Sequence, residues 1–312
     1  MNNKTVPAYF HFTSFSIYGN ARIIYFLLMV IAYFLIVLFN MTILLVVLKD
    51  KSLHEQPMYL LMCCLLFNSL YGSSALFPRL SADLLSTTHT ISRPACYTQL
   101  FVVHSYAISE FAVLTFMAYD RYIAISEPLR YHSIMTQRKT GLLISCAFSW
   151  SLVCVIVGVY LSARLPLCGN KIPRLYCSNW SVVRLSCVST VINNIWGFFV
   201  TVTTVCLPAG FILFTYIRIL IVCRKSTAEF RGKALKTCLP HIVSFVTYSI
   251  AVFSDITLGR YEPDEIIVAL LISLEYLMIP PLLNPLIYGL SLPDIRRRIL
   301  RMIISLKIVL ER

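Results

Sequence analysis

The chain has 312 residues, of which 58% are hydrophobic and only 13% are charged, and its formal net charge is +13. Soluble domains carry about 25% charged residues, so this composition argues against an ordinary soluble domain. Several apolar runs reach about 20 residues, enough for a helix to cross the hydrocarbon core of a bilayer. The runs are continuous rather than alternating, so they predict membrane-spanning helices and not a transmembrane barrel.

Seven such runs follow one another along the chain, separated by short polar or basic loops. They are Ile23–Leu48, Pro57–Leu85, Tyr97–Ile123, Thr140–Leu161, Val191–Val222, Cys238–Leu258 and Ile266–Leu290. The predicted fold class is therefore an all-α membrane protein, a bundle of seven transmembrane helices. No repeat or domain-sized loop interrupts the pattern, so residues 1–312 are expected to form one domain, with an N-terminal segment (1–22), seven spans (23–290) and a tail (291–312).

Basic residues predict the orientation of the bundle. If the N-terminus lies outside the cell, the inner side holds about twice as many of the 27 Lys and Arg residues as the outer side. Two dense basic groups then both lie inside. They are Arg224, Lys225, Arg231, Lys233 and Lys236 before span six, and Arg296, Arg297, Arg298 and Arg301 after span seven. The positive charge is thus explained by topology, and no nucleic-acid partner is expected.

The tail from Pro293 mixes apolar residues such as Ile295 and Ile299 with the second basic group. This pattern is typical of an amphipathic helix on the inner membrane surface, with guanidinium groups near anionic lipid. A frayed tail is the alternative. Membrane lipid is therefore a predicted partner of the C-terminal segment.

The outer side holds four of the 11 cysteines and two glycosylation sequons. The cysteines are Cys96, Cys168, Cys177 and Cys187, and the sequons begin at Asn3 and Asn179. Outer surroundings are oxidising, and four cysteines allow three pairings. Both asparagines are predicted glycan acceptors. A third sequon at Asn40 lies in the middle of span one, so we interpret Asn40 as an internal hydrogen-bonding residue.

Motifs at the ends of the spans carry a family resemblance. Span three ends in Met117-Ala118-Tyr119-Asp120-Arg121-Tyr122-Ile123-Ala124-Ile125. Span seven closes with Pro281-Leu282-Leu283-Asn284-Pro285-Leu286-Ile287-Tyr288. Further motifs in the same order are Pro57-Met58-Tyr59, Ser149-Trp150, Pro208, Tyr216, Lys233-Ala234, Thr237-Cys238 and His241. Together they resemble odorant receptors, a family of rhodopsin-like G-protein-coupled receptors. The tracts at 68–72 and 77–80 are most similar to the fish-type branch.

The resemblance implies a receptor in the plasma membrane that binds a small organic odorant in the outer half of the bundle. It implies coupling to a heterotrimeric G protein with a stimulatory or olfactory-type α subunit, and it implies neither an enzyme activity nor a cofactor. It also implies disulfides joining Cys96 to Cys177 and Cys168 to Cys187. In the resting state Arg121 should pair with Asp120, and in the active state it should turn towards Tyr216. The complete switch set is Asp120, Arg121, Tyr122, Tyr216, Asn284, Pro285 and Tyr288.

Candidate ligand contacts follow helical spacing on three spans. They are His104, Ala107, Ile108 and Phe111 in span three, Thr201 and Thr204 in span five, and Tyr248, Val252 and Phe253 in span six. A mostly apolar set with a few polar groups suits a small organic molecule. Ordinary packing between helices is the alternative for each residue. His104 is the strongest candidate, because a buried histidine needs a polar partner.

The middle of the bundle departs from the pattern of the family. Most such receptors place an Asp midway along span two, where it helps to hold a sodium ion, but this stretch contains Asn68 and Ser69. Glu110 lies midway along span three, about three helical turns before Arg121 and on nearly the same face. We expect Glu110, Asn68, Ser69 and Asn284 to form a polar centre. It either holds a cation or contains a protonated Glu110 hydrogen-bonded to its neighbours.

Several other functions fit the sequence less well. Span seven has no Lys for a retinal Schiff base, and Val103 stands where amine receptors place an Asp. A rhodopsin-like receptor for a peptide or lipid is the nearest alternative. A small-solute transporter is less favoured, because the chain shows no matching halves. A membrane enzyme is also less favoured, because the histidines and carboxylates form no metal or nucleophile constellation.

Overall fold

The computed structural model describes residues 8–261 and 266–310 and is mainly helical. Seven long helical segments correspond to the predicted spans. They are span one (Arg22–Lys49), span two (Pro57–Leu85), span three (Arg93–Ser126), span four (Gln137–Ala163), span five (Val191–Thr201 and Leu207–Arg224, joined by a π-helical turn at Val202–Cys206), span six (Ala228–Tyr261) and span seven (Ile266–Ser291). Within the described residues, spans one to six are each long and apolar enough to cross a membrane, and span seven is a further helix.

Most span boundaries agree with the predicted ones to within three or four residues, and span two agrees at both ends. Span six is the exception, because it begins at Ala228 and not at Cys238. Part of the basic group expected before this span, including Arg231 and Lys233, therefore lies on its first helical turns. The ion pair of Lys233 with Glu229, at 2.7 Å, supports this extension one turn from the helix start.

Shorter helices connect the spans on the inner side, and the predicted tail helix is confirmed. The connecting helices are Lys51–His54, the 3-10 turn Pro128–Arg130 and Tyr131–Ile134. The tail helix is Pro293–Leu310. Ile295 of the tail is fully buried against the bundle. Arg298 pairs with Asp50 at 2.6 Å, which joins the tail to the first inner loop. Hydrogen bonds from Ser52, together with the charge of Arg298, hold the pKa of Asp50 below its usual value.

A small sheet covers the outer end of the bundle, and the sequence did not predict it. Its strands are β1 (Tyr9–Phe12), β2 (Thr90–Ser92) and β3 (Lys171–Ile172), in the order β2-β1-β3. β1 is antiparallel to β2, with Phe10 opposite Ile91, and parallel to β3, with Phe12 opposite Ile172. Phe10 and Phe12 are buried in an outer apolar cluster. The N-terminal strand thus ties the first and second outer loops together.

Close packing between spans is clearest in the middle of the bundle. A Cβ atom on Gly72 of span two would lie 2.5 Å from the Tyr106 ring of span three, so only glycine allows this approach. The Asn40 side-chain N–H donates to the carbonyl of Pro281 at 2.9 Å and joins span one to span seven, which confirms its interpretation as an internal residue. Large apolar side chains such as Phe34 and Phe198 are exposed on the outward faces, as lipid contact requires.

Candidate functional site

A cavity of about 220 Å³ lies among the outer halves of spans three, four, five and six, beneath the second outer loop. Its walls are mostly apolar, with Val103, Ile108 and Val155 among them. Its volume lies below the range of about 300–1,000 Å³ that is usual for sites of drug-sized ligands. The cavity therefore suits a small molecule with a largely apolar body.

Most of the predicted ligand residues meet at this cavity. Its lining includes His104, Ala107, Ile108, Phe111, Thr201, Thr204 and Val252. Tyr248 is buried and is not in the lining: its hydroxyl donates to the Ala107 carbonyl at 2.9 Å, and its ring packs edge-on against Phe111 at 4.9 Å. Tyr248 thus supports residues that line the cavity.

Phe253, which was predicted to contact the ligand, lies outside this cavity. Its side chain is 70% exposed and is absent from the cavity lining, whereas that of the preceding residue, Val252, is buried in the lining. Consecutive residues on a helix point about 100° apart. One step along span six therefore moves the side chain from the inward face to the outward, lipid-facing surface.

Several lining residues were not predicted, and many of them belong to the second outer loop. The loop contributes Arg174, Tyr176, Ser178 and Trp180, and the outer end of span six contributes Asp255. The sequence held one signal for them, because a disulfide through Cys177 pins neighbouring loop residues over the mouth of the bundle. Which of those side chains point inward depends on the loop backbone, which has no periodic pattern to read.

Both implied disulfides are present, Cys96–Cys177 and Cys168–Cys187. The backbone N–H of Cys177 also donates to the Gln99 side chain at 2.9 Å. The loop is therefore attached to the outer end of span three by a covalent bond and a hydrogen bond. This attachment places the loop residues beside Cys177 above the cavity.

Asn179, a predicted glycan acceptor, is half-buried beside the cavity. Its side-chain oxygen accepts a hydrogen bond of 2.6 Å from the Ser162 hydroxyl, and the residue lines the cavity. Glycosylation of Asn179 stays a prediction. The other predicted acceptor, Asn3, lies outside the described residues.

An ion pair lies in the wall of the cavity, near its outer end. The Arg174 guanidinium donates to Asp255 at 2.6 Å, and the Tyr176 hydroxyl donates to the same carboxylate oxygen at 3.1 Å. Burial, together with the negative charge of Asp255, raises the pKa of Tyr176 above its usual value. The phenol therefore remains a neutral hydrogen-bond donor at physiological pH.

The predicted polar centre lies deeper, where Glu110 is fully buried. The side-chain amide of Asn68 donates to one carboxyl oxygen of Glu110 at 2.7 Å, and that of Asn284 donates to the other at 2.8 Å. Ser69 is also buried, and its hydroxyl has no hydrogen-bond partner within the described residues. Spans two, three and seven are thus joined through one carboxyl group.

At the inner end of span three, Arg121 pairs with Asp120 through a bond of 3.0 Å from its Nε atom. The Tyr131 hydroxyl donates to the other Asp120 oxygen at 2.7 Å, a contact that the sequence did not predict. Burial, together with the charge of Asp120, raises the pKa of Tyr131, so this donor is also neutral at physiological pH. Arg121 therefore has the arrangement expected of the resting state.

The remaining switch residues surround this pair. Tyr216 bonds to His241 of span six at 2.5 Å, and Tyr122 packs in an apolar cluster that joins spans three, five and six. Tyr288 and Pro285 are buried in span seven. Asn284 belongs to the polar centre rather than to the inner mouth.

The sequence of the chain matches a family model described as "Olfactory receptor" over residues 29–306. The chain belongs to the olfactory receptor family. Human olfactory receptor 51I2 is 35% identical over 274 residues, which cover 86% of this chain and 87% of that protein. Human olfactory receptor 10J1 is 32% identical over 304 residues, which cover 96% of this chain and 93% of that protein. Mouse olfactory receptor 10J5 is 31% identical over 305 residues, which cover 96% of this chain and 97% of that protein.

Family membership establishes the general properties of this olfactory receptor. It is a seven-span receptor and a multi-pass protein of the plasma membrane, it is not an enzyme, and it binds odorants and couples to a G protein. The relatives do not separate the branches of the family. Its similarity to the fish-type branch therefore stays a prediction.

Proposed function

We propose that this olfactory receptor, as a single domain, binds a small, mostly apolar odorant in the outer cavity and activates a G protein with a stimulatory or olfactory-type α subunit. The observation that carries the proposal is the cavity itself. Its apolar lining is interrupted by a few polar groups, His104, Thr201 and Thr204 among them. Such a lining binds an apolar body by burial and orients it through one or two hydrogen bonds.

Arg121 is the residue that connects this cavity to the G protein. In the structure it pairs with Asp120, while Tyr216 bonds to His241. When a ligand favours the active packing, Arg121 exchanges Asp120 for Tyr216 and for the α subunit. A ligand shifts this equilibrium only by its difference in affinity for the two states.

The polar centre restrains the same equilibrium. Both Asn68 and Asn284 donate to the Glu110 carboxyl group, and no Lys or Arg within the described residues forms an ion pair with it. A buried carboxylate needs a compensating charge or a proton. We propose that a monovalent cation supplies the charge and stabilises the resting packing, with a protonated Glu110 as the alternative.

A screen of odorant mixtures tests the proposed function. Cells express the receptor with a stimulatory α subunit, and cyclic AMP is measured against receptor number at the cell surface. We expect at least one mixture to raise cyclic AMP, and we expect His104→Ala to weaken that response about tenfold through loss of one polar contact in the cavity. Phe253→Ala is the matched control, because its side chain faces away from the cavity.

Two results would contradict the proposal. One is a receptor that reaches the surface and raises cyclic AMP with no mixture. The other is equal weakening by His104→Ala and Phe253→Ala, which would place the ligand outside the cavity. A response through a different α subunit would overturn the stimulatory assignment alone.

A further inference from the structure

Three polar residues of span six bind the rest of the bundle at three heights. His241 bonds to Tyr216 of span five, Tyr248 to the Ala107 carbonyl of span three, and Asp255 to the second outer loop. They are spaced seven residues apart, so they lie on nearly the same face of the helix. Span six is thus held by a row of polar contacts, of which the outermost is an ion pair.

The partners of Asp255 belong to a fixed part of the molecule. Arg174 and Tyr176 lie just before Cys177, which is bonded to Cys96 at the outer end of span three. Cys168 and Cys187 close the same loop with a second disulfide. The loop cannot follow span six when that helix tilts, so the contact between them must stretch or break.

The ion pair also lies in the wall of the cavity, where a ligand reaches it. Arg174 and Asp255 both line the cavity, and their side chains are only 11% and 24% exposed. A guanidinium carries five N–H donors; Nη1 of Arg174 donates to Asp255, and the guanidinium also interacts with the Tyr176 side chain. The other donors favour a ligand oxygen that accepts hydrogen bonds and disfavour an ammonium group.

We propose that Arg174, Tyr176 and Asp255 form an outer latch that holds span six in the resting position, and that the odorant is a small amphiphile whose oxygen acceptor competes with Asp255 for Arg174. The apolar body of the ligand lies against Val103, Ile108 and Val155, and its oxygen lies at Arg174. Binding weakens the contact between Asp255 and the loop and frees the outer half of span six. This inference rests on the proposed function, because it describes the ligand of the same cavity.

Agonist-free signalling tests the latch. Asp255→Asn removes one charge with little change in volume, and Arg174→Gln removes the other charge and shortens the side chain. We expect each to raise basal cyclic AMP about five- to tenfold at equal surface density, the low end of typical coupling between sites. The double variant should rise no further, because both substitutions remove the same contact. The charge-exchanged variant, Arg174→Asp with Asp255→Arg, should have lower basal cyclic AMP than the single variants, close to the wild-type level. Lys171→Gln removes an exposed charge in the same loop and should leave basal cyclic AMP at the wild-type level.

Hydrogen exchange measures the latch without a G protein. In the purified receptor, Asp255→Asn should speed amide exchange in residues 251–257 and 228–238, while residues 137–163 of span four keep their rate. Unchanged exchange together with unchanged basal cyclic AMP overturns the latch, and so does an additive rise in the double variant. If exchange is faster but neither the wild type nor any variant produces cyclic AMP, the latch is upheld and the stimulatory coupling is contradicted.

The ligand class is tested with separate mixtures of medium-chain acids, ketones, amines and alkanes. The acid or ketone mixture should activate the wild type, and Arg174→Gln should weaken that response about tenfold, which corresponds to 1.4 kcal/mol. Lys171→Gln is again the control. Activation by amines alone, by no mixture, or by acids and ketones with equal potency in Arg174→Gln overturns the assignment of Arg174 as the anchor of the ligand.

Discussion

At the scale of single residues, the least usual feature is a carboxyl group in the middle of the bundle that has two amide donors and, among the described side chains, no ion pair with Lys or Arg. Glu110 accepts from Asn68 and Asn284 and is fully buried. An ionised Glu110 would require a positive counter-charge nearby, and a bound sodium ion would provide it. The choice between sodium and a proton determines whether salt stabilises the receptor.

Glu110→Gln separates these two states. If sodium binds, the melting temperature of the purified wild type should be about 2–4 °C higher in sodium chloride than in choline chloride, as roughly 1 kcal/mol produces for a protein of this size. Glu110→Gln should lose this difference, because it removes the negative charge. Ser73→Ala, a buried hydroxyl on span two, should keep it. Equal melting of the wild type in both salts would support the protonated carboxyl instead.

The residues of the cavity show where sequence reasoning at this scale stops. Helical spacing correctly grouped His104, Ala107, Ile108 and Phe111, because a regular helix repeats its faces. It placed Phe253 at the cavity, although only the preceding residue, Val252, lines it. An apolar side chain is equally compatible with lipid and with an apolar cavity, so the sequence did not distinguish the two. Arg174 and Asp255 were missed, because an ion pair between a loop and a helix depends on a loop backbone that no periodicity describes.

At the scale of elements, the seven helices were predictable and the outer sheet was not. Continuous apolar runs produced the spans, because length and hydrophobicity alone determine which segments can cross a bilayer. β1 has only four residues, and its partners Thr90–Ser92 and Lys171–Ile172 lie far along the chain. The start of span six was placed too late, because its basic first turns lie beyond the apolar run.

The sheet connects the N-terminal strand to the loop that carries the latch, so we expect it to contribute to stability and to ligand response. Phe10 is fully buried, whereas its neighbour Tyr9 on the same strand is 57% exposed. Phe10→Ala should cost about 3–5 kcal/mol of local stability, since a large buried side chain leaves a cavity. Its melting temperature and surface density should fall below those of Tyr9→Ala. Equal behaviour of the two variants would show that the strand is not packed as described.

At the scale of the whole molecule, polar contacts of spans three and six extend from the outer cavity to the inner end of the bundle. The outer latch is at Asp255, the support of the cavity floor at Tyr248, and the inner bond at His241. The charge distribution that predicted the orientation places the inner mouth towards the G protein. A change at any one contact should therefore shift the same equilibrium.

The most direct test of this account is cyclic AMP production by Arg121→Ala with an agonist from the odorant screen, at wild-type surface density. Arg121 pairs with Asp120 in the structure, and we propose that it contacts the α subunit in the active state. Its removal should therefore abolish both agonist-stimulated and basal signalling. Arg138→Ala, an exposed charge at the start of span four, should signal normally. A normal cyclic AMP response from Arg121→Ala would contradict the account, because the signal would then bypass the inner mouth.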